Sequence, residues 1–427
     1  DEHSKKLFGK KGVVFLGKGY VKMGNYTSLS NRILMDVART HAILVAGKRG
    51  SGKSYTLGVI AEELSNLPEE VRPNVCSLIF DTMGIYWTMK YQNLKDRDLL
   101  REWGLEPRNL PVKIFVPAGH YDSYLERGIP ADQPFALDVS EMSAEDWVLT
   151  FGLEMVNPVA TLISRVITRL AGGGKFTIKD ILREVGKDTS SNPETKNAAR
   201  SLFEAANTWG VFAKDEKEIT NVDDLSIGGT TVVLDLSVYN AVGSFNVRAL
   251  VISLLCRKIF NSRMEARKKE EVEALSRGLN YLSINKKSKP LIWIFIDEAH
   301  EFLPLHGKTI ATDALVQLLR EGRQPGVSLV LATQQPGNIH RDVMTQSDIV
   351  ISHRVTSQPD LEALNYMMQS YLLAGIKKYM DELPTEKGAA IILDDNSERI
   401  YPMRIRPRFT WHGGEAPIAV RGGGLFD

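Results

Sequence analysis

Two cysteines in 427 residues, Cys76 and Cys256, exclude a fold stapled by a disulfide framework. Both lie inside apolar stretches and read as buried thiols in a reducing compartment. Also missing is any apolar run near the roughly 18 residues of a membrane span, and the N-terminus shows no signal-peptide pattern. The expectation is a cytoplasmic protein with no membrane span. Charge of one sign is not in excess either: 53 Lys and Arg stand against 52 Asp and Glu. The whole-chain field therefore gives no pull toward nucleic acid or membrane, and any nucleic-acid contact must come from a local patch. Histidines do not cluster with cysteine, so His300 and His306 read as surface or packing residues rather than zinc ligands. The length itself allows two or three domains or one enlarged α/β domain.

What the chain does contain is a nucleotide site. The stretch Gly47-Lys48-Arg49-Gly50-Ser51-Gly52-Lys53-Ser54 matches G-x-x-x-x-G-K-[ST] at every defined position. The apolar run Ala42-Ile43-Leu44-Val45-Ala46 enters it as a buried strand, and Leu57, Ile60 and Leu64 mark the inner face of a helix leaving it. Glycines let successive backbone N–H groups curl around a polyphosphate, and the helix N-terminus adds its partial positive charge. This pattern assigns residues from Gly47 through Tyr55 to ATP, with Lys53 on the β- and γ-phosphates and Ser54 on Mg²⁺.

Before the loop, glycine-punctuated apolar pieces such as Val13-Val14-Phe15-Leu16 predict a small β-hairpin. After it, strands are expected at Val75 to Phe80, closing on Asp81, then at Val112 to Val116 and Thr230 to Leu236. Further strands follow at Leu291 to Ile296, Val327 to Ala332, Asp348 to Ser352 and Ala389 to Leu393. Their alternation with helical stretches predicts an α/β fold with a mostly parallel sheet covered on both faces. Between Glu141 and Phe212 the period turns helical, with Trp147, Phe151, Met155, Leu162, Ile163, Val166 and Leu170 as its expected core. Lys187 to Lys196 reads as an exposed loop, and the charged run Arg263 to Glu273 as a solvated helix face. The division expected is a short β segment at 1–40, the core at 41–120 and 225–410, an inserted helical subdomain at 121–224 and a tail at 411–427.

A phosphate loop needs a carboxylate at the end of a neighbouring strand, and Asp81, Asp235 and Asp297 are all so placed. Only Asp297 is followed by a second carboxylate, Glu298, positioned to polarise an attacking water. Asp297 is therefore taken as the Mg²⁺ ligand and Glu298 as the general base, with Asp235 a decoy or a structural residue. Gln334 ends the adjacent strand where it could read the γ-phosphate. Arg320 and Arg323 close a helix between these strands, and an arginine at the sheet edge can act on a neighbouring subunit's nucleotide. Arg404, Arg406 and Arg408 alternate, so a strand would put all three on one face, as an edge guard or against DNA or an adjoining subunit.

The phosphate loop, IFIDEAHEFLP at Ile294 to Pro304, LLREGRQPGVSLVLATQQP at Leu318 to Pro336 and LPTEKGAAIIL at Leu383 to Leu393 together resemble the HerA–FtsK superfamily, its HerA-like branch above all. The resemblance covers about His41 to Arg408. It implies a RecA-like P-loop motor that forms a hexameric ring, hydrolyses ATP at subunit interfaces and drives double-stranded DNA through a central channel. On the family pattern Gln334 is similar to the polar sensor and Arg323 to the trans-acting finger, with Arg320 as its nearby substitute. A nuclease or other effector partner in DNA-end processing or defence against foreign DNA is the expected setting. A VirB4-like conjugation or secretion motor and an ATP-gated assembly scaffold are the alternatives. Three departures stand out: the forty residues before the loop are too few for a full N-terminal barrel, Ile85 replaces the acid of Asp-x-x-Gly-Glu-Tyr, and Gln335 stands where the family often has Arg.

Overall fold

The computed structural model describes residues 9–23, 26–240, 245–276, 289–367, 375–395 and 399–414. Most of the glycine-rich tail lies outside the described residues. Twelve strands form one sheet: β1 (Val13–Met23), β2 (Tyr26–Asp36), β3 (Ala42–Ala46), β4 (Val75–Asp81), β5 (Val112–Pro117), β6 (Gln133–Phe135), β7 (Thr231–Asp235), β8 (Leu291–Ile296), β9 (Val327–Thr333), β10 (Ile349–His353), β11 (Ala389–Asp394) and β12 (Arg399–Ile405). Their spatial order is β2-β1-β12-β11-β10-β3-β9-β8-β4-β7-β5-β6. The eight strands from β10 to β6 run parallel, and β11, β12, β1 and β2 extend that sheet antiparallel.

Parallel strands covered on both faces bury side chains at every position, and β3, β4, β7 and β9 are accordingly buried throughout and mostly apolar. Alternate residues go to opposite sides. Leu44, Leu78 and Leu234 join a core with the helices α2 (Ala144–Thr150), α3 (Pro158–Ala171), α4 (Ile178–Lys187), α5 (Pro193–Thr208) and α6 (Phe245–Ser276). Ile43, Val45, Ile79 and Val233 face the other way, onto α1 (Lys53–Ser65), the helix that follows the phosphate loop. The span 121–224 contains α2 to α5 and also β6, which pairs with β5 in the main sheet.

Several local expectations give way to packing. Met155 is 60% exposed although its spacing matches the core residues, because it sits in the turn between α2 and α3, outside any helix. The expected loop Lys187 to Lys196 is shorter: Asn192 caps α5 by accepting from Thr195 N, and Asp188 is buried. In the charged half of α6, Arg263 and Glu270 are buried rather than solvated. Arg263 there donates to the carbonyls of Pro325 and Lys289.

The largest correction concerns the arginine triplet. Strand β12 ends at Ile405 and is no edge, being paired on both sides by β11 and β1. Arg404 stays near the surface with Glu386 at 2.9 Å. Arg406 and Arg408 turn inward and are fully buried against Glu62 on the phosphate-loop helix. Their anion is therefore within this chain, not DNA and not a neighbouring subunit. The Glu62 carboxylate accepts from Arg406 Nη1 at 3.0 Å, Arg408 Nε at 3.1 Å, Phe409 N and Thr410 N at 3.0 Å each, and the Thr410 hydroxyl. Gly58 is required beside it, since a Cβ there would stand 2.5 Å from Arg408 Nη1. Burial pushes the Glu62 pKa up, but the two guanidiniums and the hydrogen bonds outweigh it and hold the carboxyl below its ordinary value.

Removing one member of such a cluster leaves buried charge uncompensated, so Glu62→Gln is expected to lower stability by about 3–5 kcal/mol. Arg404→Ala, at a partly exposed pair, should cost under about 1 kcal/mol. The folded pKa of Glu62 is depressed, so its contribution is full above the unfolded value of about 4.3 and is lost as pH falls through the lower folded value. Urea melts of the wild type and Glu62→Gln should therefore differ at pH 7 and draw together as pH falls below the ordinary glutamate range. Equal midpoints at pH 7 would refute the assignment.

Candidate active site

The site forms at the carboxyl ends of β3, β9, β8 and β4, which stand side by side in the sheet. Strand β3 delivers the chain into the phosphate loop, whose Gly47, Gly50 and Gly52 have φ of 156°, 74° and 113°. The last two lie in the left-handed region that favours glycine. Gly47 has a second reason to lack a side chain, because a Cβ would meet His353 Cβ at 2.7 Å and Ser51 Oγ at 2.4 Å. The loop is tied to neighbouring strands by Gly47 N donating to Thr333 O at 3.3 Å and Lys48 N to Arg354 O at 3.1 Å. Lys48, Arg49 and Gly50 form its exposed tip. Lys53 is buried, with its ammonium 3.4 Å from the carbonyl of Lys48, across the mouth of the loop. Ser51 Oγ is buried with no hydrogen-bond partner, a polar atom facing a site built for an anion.

Strand β8 brings Asp297 to the same place. Its Oδ2 lies 2.5 Å from Ser54 Oγ, across 243 positions of sequence, while Oδ1 accepts from Glu298 N at 2.9 Å. A hydroxyl and a carboxylate in contact, with substrate phosphates to complete the sphere, fit Mg²⁺, which takes few protein ligands. Among the described residues no group of three or more His, Cys, Asp or Glu forms an all-protein metal cage. Asp235, by contrast, pairs in register with Asp81 one strand further out and accepts from Ser237 N at 2.9 Å.

Glu298 has φ of 50°, and among the described residues no other non-glycine has positive φ. That left-handed turn, unusual for a glutamate, swings its side chain back toward the loop at a cost of about 1–3 kcal/mol. Burial first, and then the charge of Asp297, raise its pKa to about 7 against the lowering effect of Lys53. Gln334, just past the end of β9, stands beside the same carboxylate and opposes the rise. Glu298 Oε2 is buried without a hydrogen-bond partner, 3.5 Å from His300 Nδ1. Burial lowers the His300 pKa, so the ring is neutral there, and its Nδ1 also lies 3.3 Å from Thr333 Oγ1. His300 thus belongs to the site rather than to the surface.

Other predicted residues are not drawn in. The Tyr55 hydroxyl accepts from Arg408 N at 2.7 Å, leaving only its backbone beside the loop. Arg320 reaches Asp342 Oδ2 at 2.7 Å, and Arg323 lies 3.8 Å from Asp348 Oδ2. Arg323 precedes β9 and Asp348 precedes β10, at the amino edge of the sheet, opposite the loop. Within one chain neither arginine can reach the nucleotide site.

Two further residues meet at the site: Tyr86, which closes the stretch in which Ile85 replaces the family's acid and to which the sequence alone gives no role, and His353. Tyr86 is buried with its hydroxyl 3.3 Å from both Asp297 Oδ2 and Ser54 O. Burial, then the charges of Asp297 and Asp81, raise its pKa far above the ordinary phenol range and keep it a donor. His353, at the end of β10, has Nδ1 3.0 Å from Ala389 O and Nε2 2.8 Å from Thr56 Oγ1. A carbonyl only accepts, so Nδ1 carries the proton and Nε2 accepts from the threonine. Burial lowers this histidine's pKa to about 4. The available signal for His353 was a polar residue closing an apolar strand.

A parallel sheet with a phosphate loop at its carboxyl edge, and an Asp-Glu pair on the strand two places away, defines a P-loop ATPase. The chain belongs to the family described as Helicase HerA, central domain, whose profile matches residues 21–259. It is 22% identical over 347 residues to the DNA double-strand break repair helicase HerA of Sulfurisphaera tokodaii, covering 77% of this chain and 58% of that protein. To the protein of the same name from Saccharolobus solfataricus it is 24% identical over 365 residues, covering 84% and 62%. The chain thus spans about three-fifths of the length of these curated relatives. Among solved structures it resembles VirB4 of Thermoanaerobacter pseudethanolicus, with a TM-score of 0.56 at 14% identity over 92% of this chain and 96% of that one. That likeness is one of fold. Among the described residues no helix is long and apolar enough to cross a membrane.

Proposed function

We propose that this chain is the motor core of an ATP-hydrolysing ring, a hexamer, that translocates double-stranded DNA and works with a nuclease or another effector in DNA-end processing or defence against foreign DNA. The observation that carries the reading is the meeting of Ser54, Asp297, Glu298 and Gln334 around one phosphate loop in a chain of the HerA central-domain family. The relatives named as DNA double-strand break repair helicases support DNA as the substrate.

In this reading the amides from Gly47 to Tyr55 and the Lys53 ammonium bind the β- and γ-phosphates of ATP. Ser54 and Asp297 hold Mg²⁺, which when bound neutralises charge developing on the phosphates. Glu298, half-buried and with one oxygen free, takes the proton of the attacking water and aligns it with the γ-phosphorus. Gln334, beside that carboxylate, reports the state of the γ-phosphate to β9. Arg323, or Arg320 beside it, serves the nucleotide of an adjoining subunit, because the sheet separates both from their own.

Displacement of a triplex-forming strand from naked duplex DNA tests translocation. ATP should drive displacement by the wild type and none by Lys53→Ala. ATP turnover stimulated by DNA without displacement would instead favour an ATP-gated scaffold. Light scattering checks the hexamer, whose absence with ATP and DNA bound would overturn the ring.

A further inference from the structure

If Ser54 and Asp297 are to meet a cation together, the Asp297 carboxylate must be held in place before the cation arrives. Ser54 Oγ and Asp297 Oδ2 come from elements that are not covalent neighbours, and a carboxylate rotates easily about its last bond. Glu298 N fixes Oδ1. The Ser54 hydroxyl donates to Oδ2 at 2.5 Å, a bond that a cation taking the same hydroxyl oxygen as a ligand would weaken. The restraint that does not itself meet the cation comes from Tyr86, whose single phenolic hydrogen is shared between Asp297 Oδ2 and Ser54 O, both at 3.3 Å. One hydroxyl thus spans the two residues that would meet the cation.

The phenol is itself anchored. Asp81, at the end of β4, accepts from Tyr86 N at 2.8 Å through Oδ2, and through Oδ1 from Gly84 N at 2.7 Å and Met83 N at 3.2 Å. Gly84, with φ of 69°, takes the left-handed conformation the turn needs, and a Cβ there would meet Ser237 Oγ at 2.7 Å. The turn therefore has one shape, and the ring it presents is 1% exposed. Strand β4 neighbours β8 in register, which brings the turn after Asp81 beside Asp297.

We propose that Tyr86 is a positioning residue for the divalent cation. Its hydroxyl holds Asp297 Oδ2 against the Ser54 side of the loop, and Asp81 acts through it by fixing the turn. The proposal rests on the assignment of Ser54 and Asp297 to Mg²⁺, and gives a task to the strand-end aspartate that does not meet the nucleotide. Outer partners of metal ligands contribute about tenfold or more to metal affinity.

The test uses Mn²⁺ as the probe. Electron paramagnetic resonance follows Mn²⁺ titrated into the full chain with a saturating non-hydrolysable ATP analogue, and a fluorescent nucleotide measures binding without metal. Tyr86→Phe removes one oxygen and keeps the ring, so the melting temperature monitors packing separately. The expected result is a Mn²⁺ dissociation constant raised about tenfold, with metal-free nucleotide affinity unchanged. Hydrolysis by the variant should need correspondingly more Mg²⁺ and recover its kcat at saturation. Wild-type Mn²⁺ affinity in Tyr86→Phe overturns the proposal. So does an equal loss of metal-free nucleotide binding, which would make Tyr86 a general support of the loop. Asp297→Ala separates the two levels: if it leaves Mn²⁺ affinity intact the cation assignment itself fails, whereas its loss beside an unaffected Tyr86→Phe condemns Tyr86 alone.

Discussion

Glu298→Gln should bind ATP as tightly as the wild type and hydrolyse it about 10²- to 10⁴-fold more slowly, the span that general-base catalysis covers. The amide keeps the size of the side chain and its contact with Gln334, so the left-handed turn at Glu298 has no reason to change. What it loses is a basic oxygen. That oxygen is unusual in being buried and without a hydrogen-bond partner, at a position the chain holds in strained backbone, and burial together with Asp297 raises its pKa to about 7. A base near neutrality can accept a proton and give it back in one cycle. Lys53→Ala should fail differently. Its ammonium lies across the loop mouth beside the carbonyl of Lys48, so the substitution weakens phosphate binding and removes transition-state charge stabilisation, slowing turnover about 10²- to 10³-fold or more. Single-turnover hydrolysis and filter binding separate the two. Hydrolysis by Glu298→Gln at the wild-type rate would remove Glu298 from the chemistry and turn attention to His300, whose Nδ1 lies 3.5 Å from Glu298 Oε2.

Arg323→Ala should reduce kcat by about 10³-fold or more with ATP affinity nearly unchanged, as removal of an arginine supplied in trans does. The geometry makes this a sharp expectation, because within its own chain Arg323 sits at the amino edge of the sheet, where among the described residues its guanidinium meets Asp348 and the carbonyl of Gln346. It is more than half exposed there. If it contributes to catalysis at all, it does so on another subunit. Mixing decides. Arg323→Ala subunits keep the phosphate loop, and Lys53→Ala subunits keep the arginine. In randomly mixed heterologous rings about a quarter of the interfaces would pair an intact loop with an intact arginine. Turnover should rise toward about that fraction of wild type, and no rise in rings proven mixed by mass would end the trans assignment. Arg320→Ala is the control: its tight pair with Asp342 predicts little change unless it is the arginine that acts.

The sequence by itself determined the parallel sheet and the identity of the phosphate loop, because both are written locally. A strand buried on two faces reads as a near-continuous apolar run, and a loop that wraps a phosphate must place its glycines, lysine and serine at fixed spacing. Ser54 is marked by the loop's own pattern, and Asp297, Glu298 and Gln334 by their places at strand ends. Their meeting depends on strand order, with β9 inserted between β3 and β8, which no local pattern encodes. Tyr86 and His353 reach the loop only because β4 and β10 stand where they do. Arg406 and Arg408 show the limit most clearly. Alternation in Met403 to Phe409 is the same whether the strand continues into solvent or ends at Ile405. What decided their fate is Glu62, 344 positions away on the phosphate-loop helix, a carboxylate buried by the segment that supplies its guanidiniums. Buried charge requires a partner, and only the tertiary structure names it.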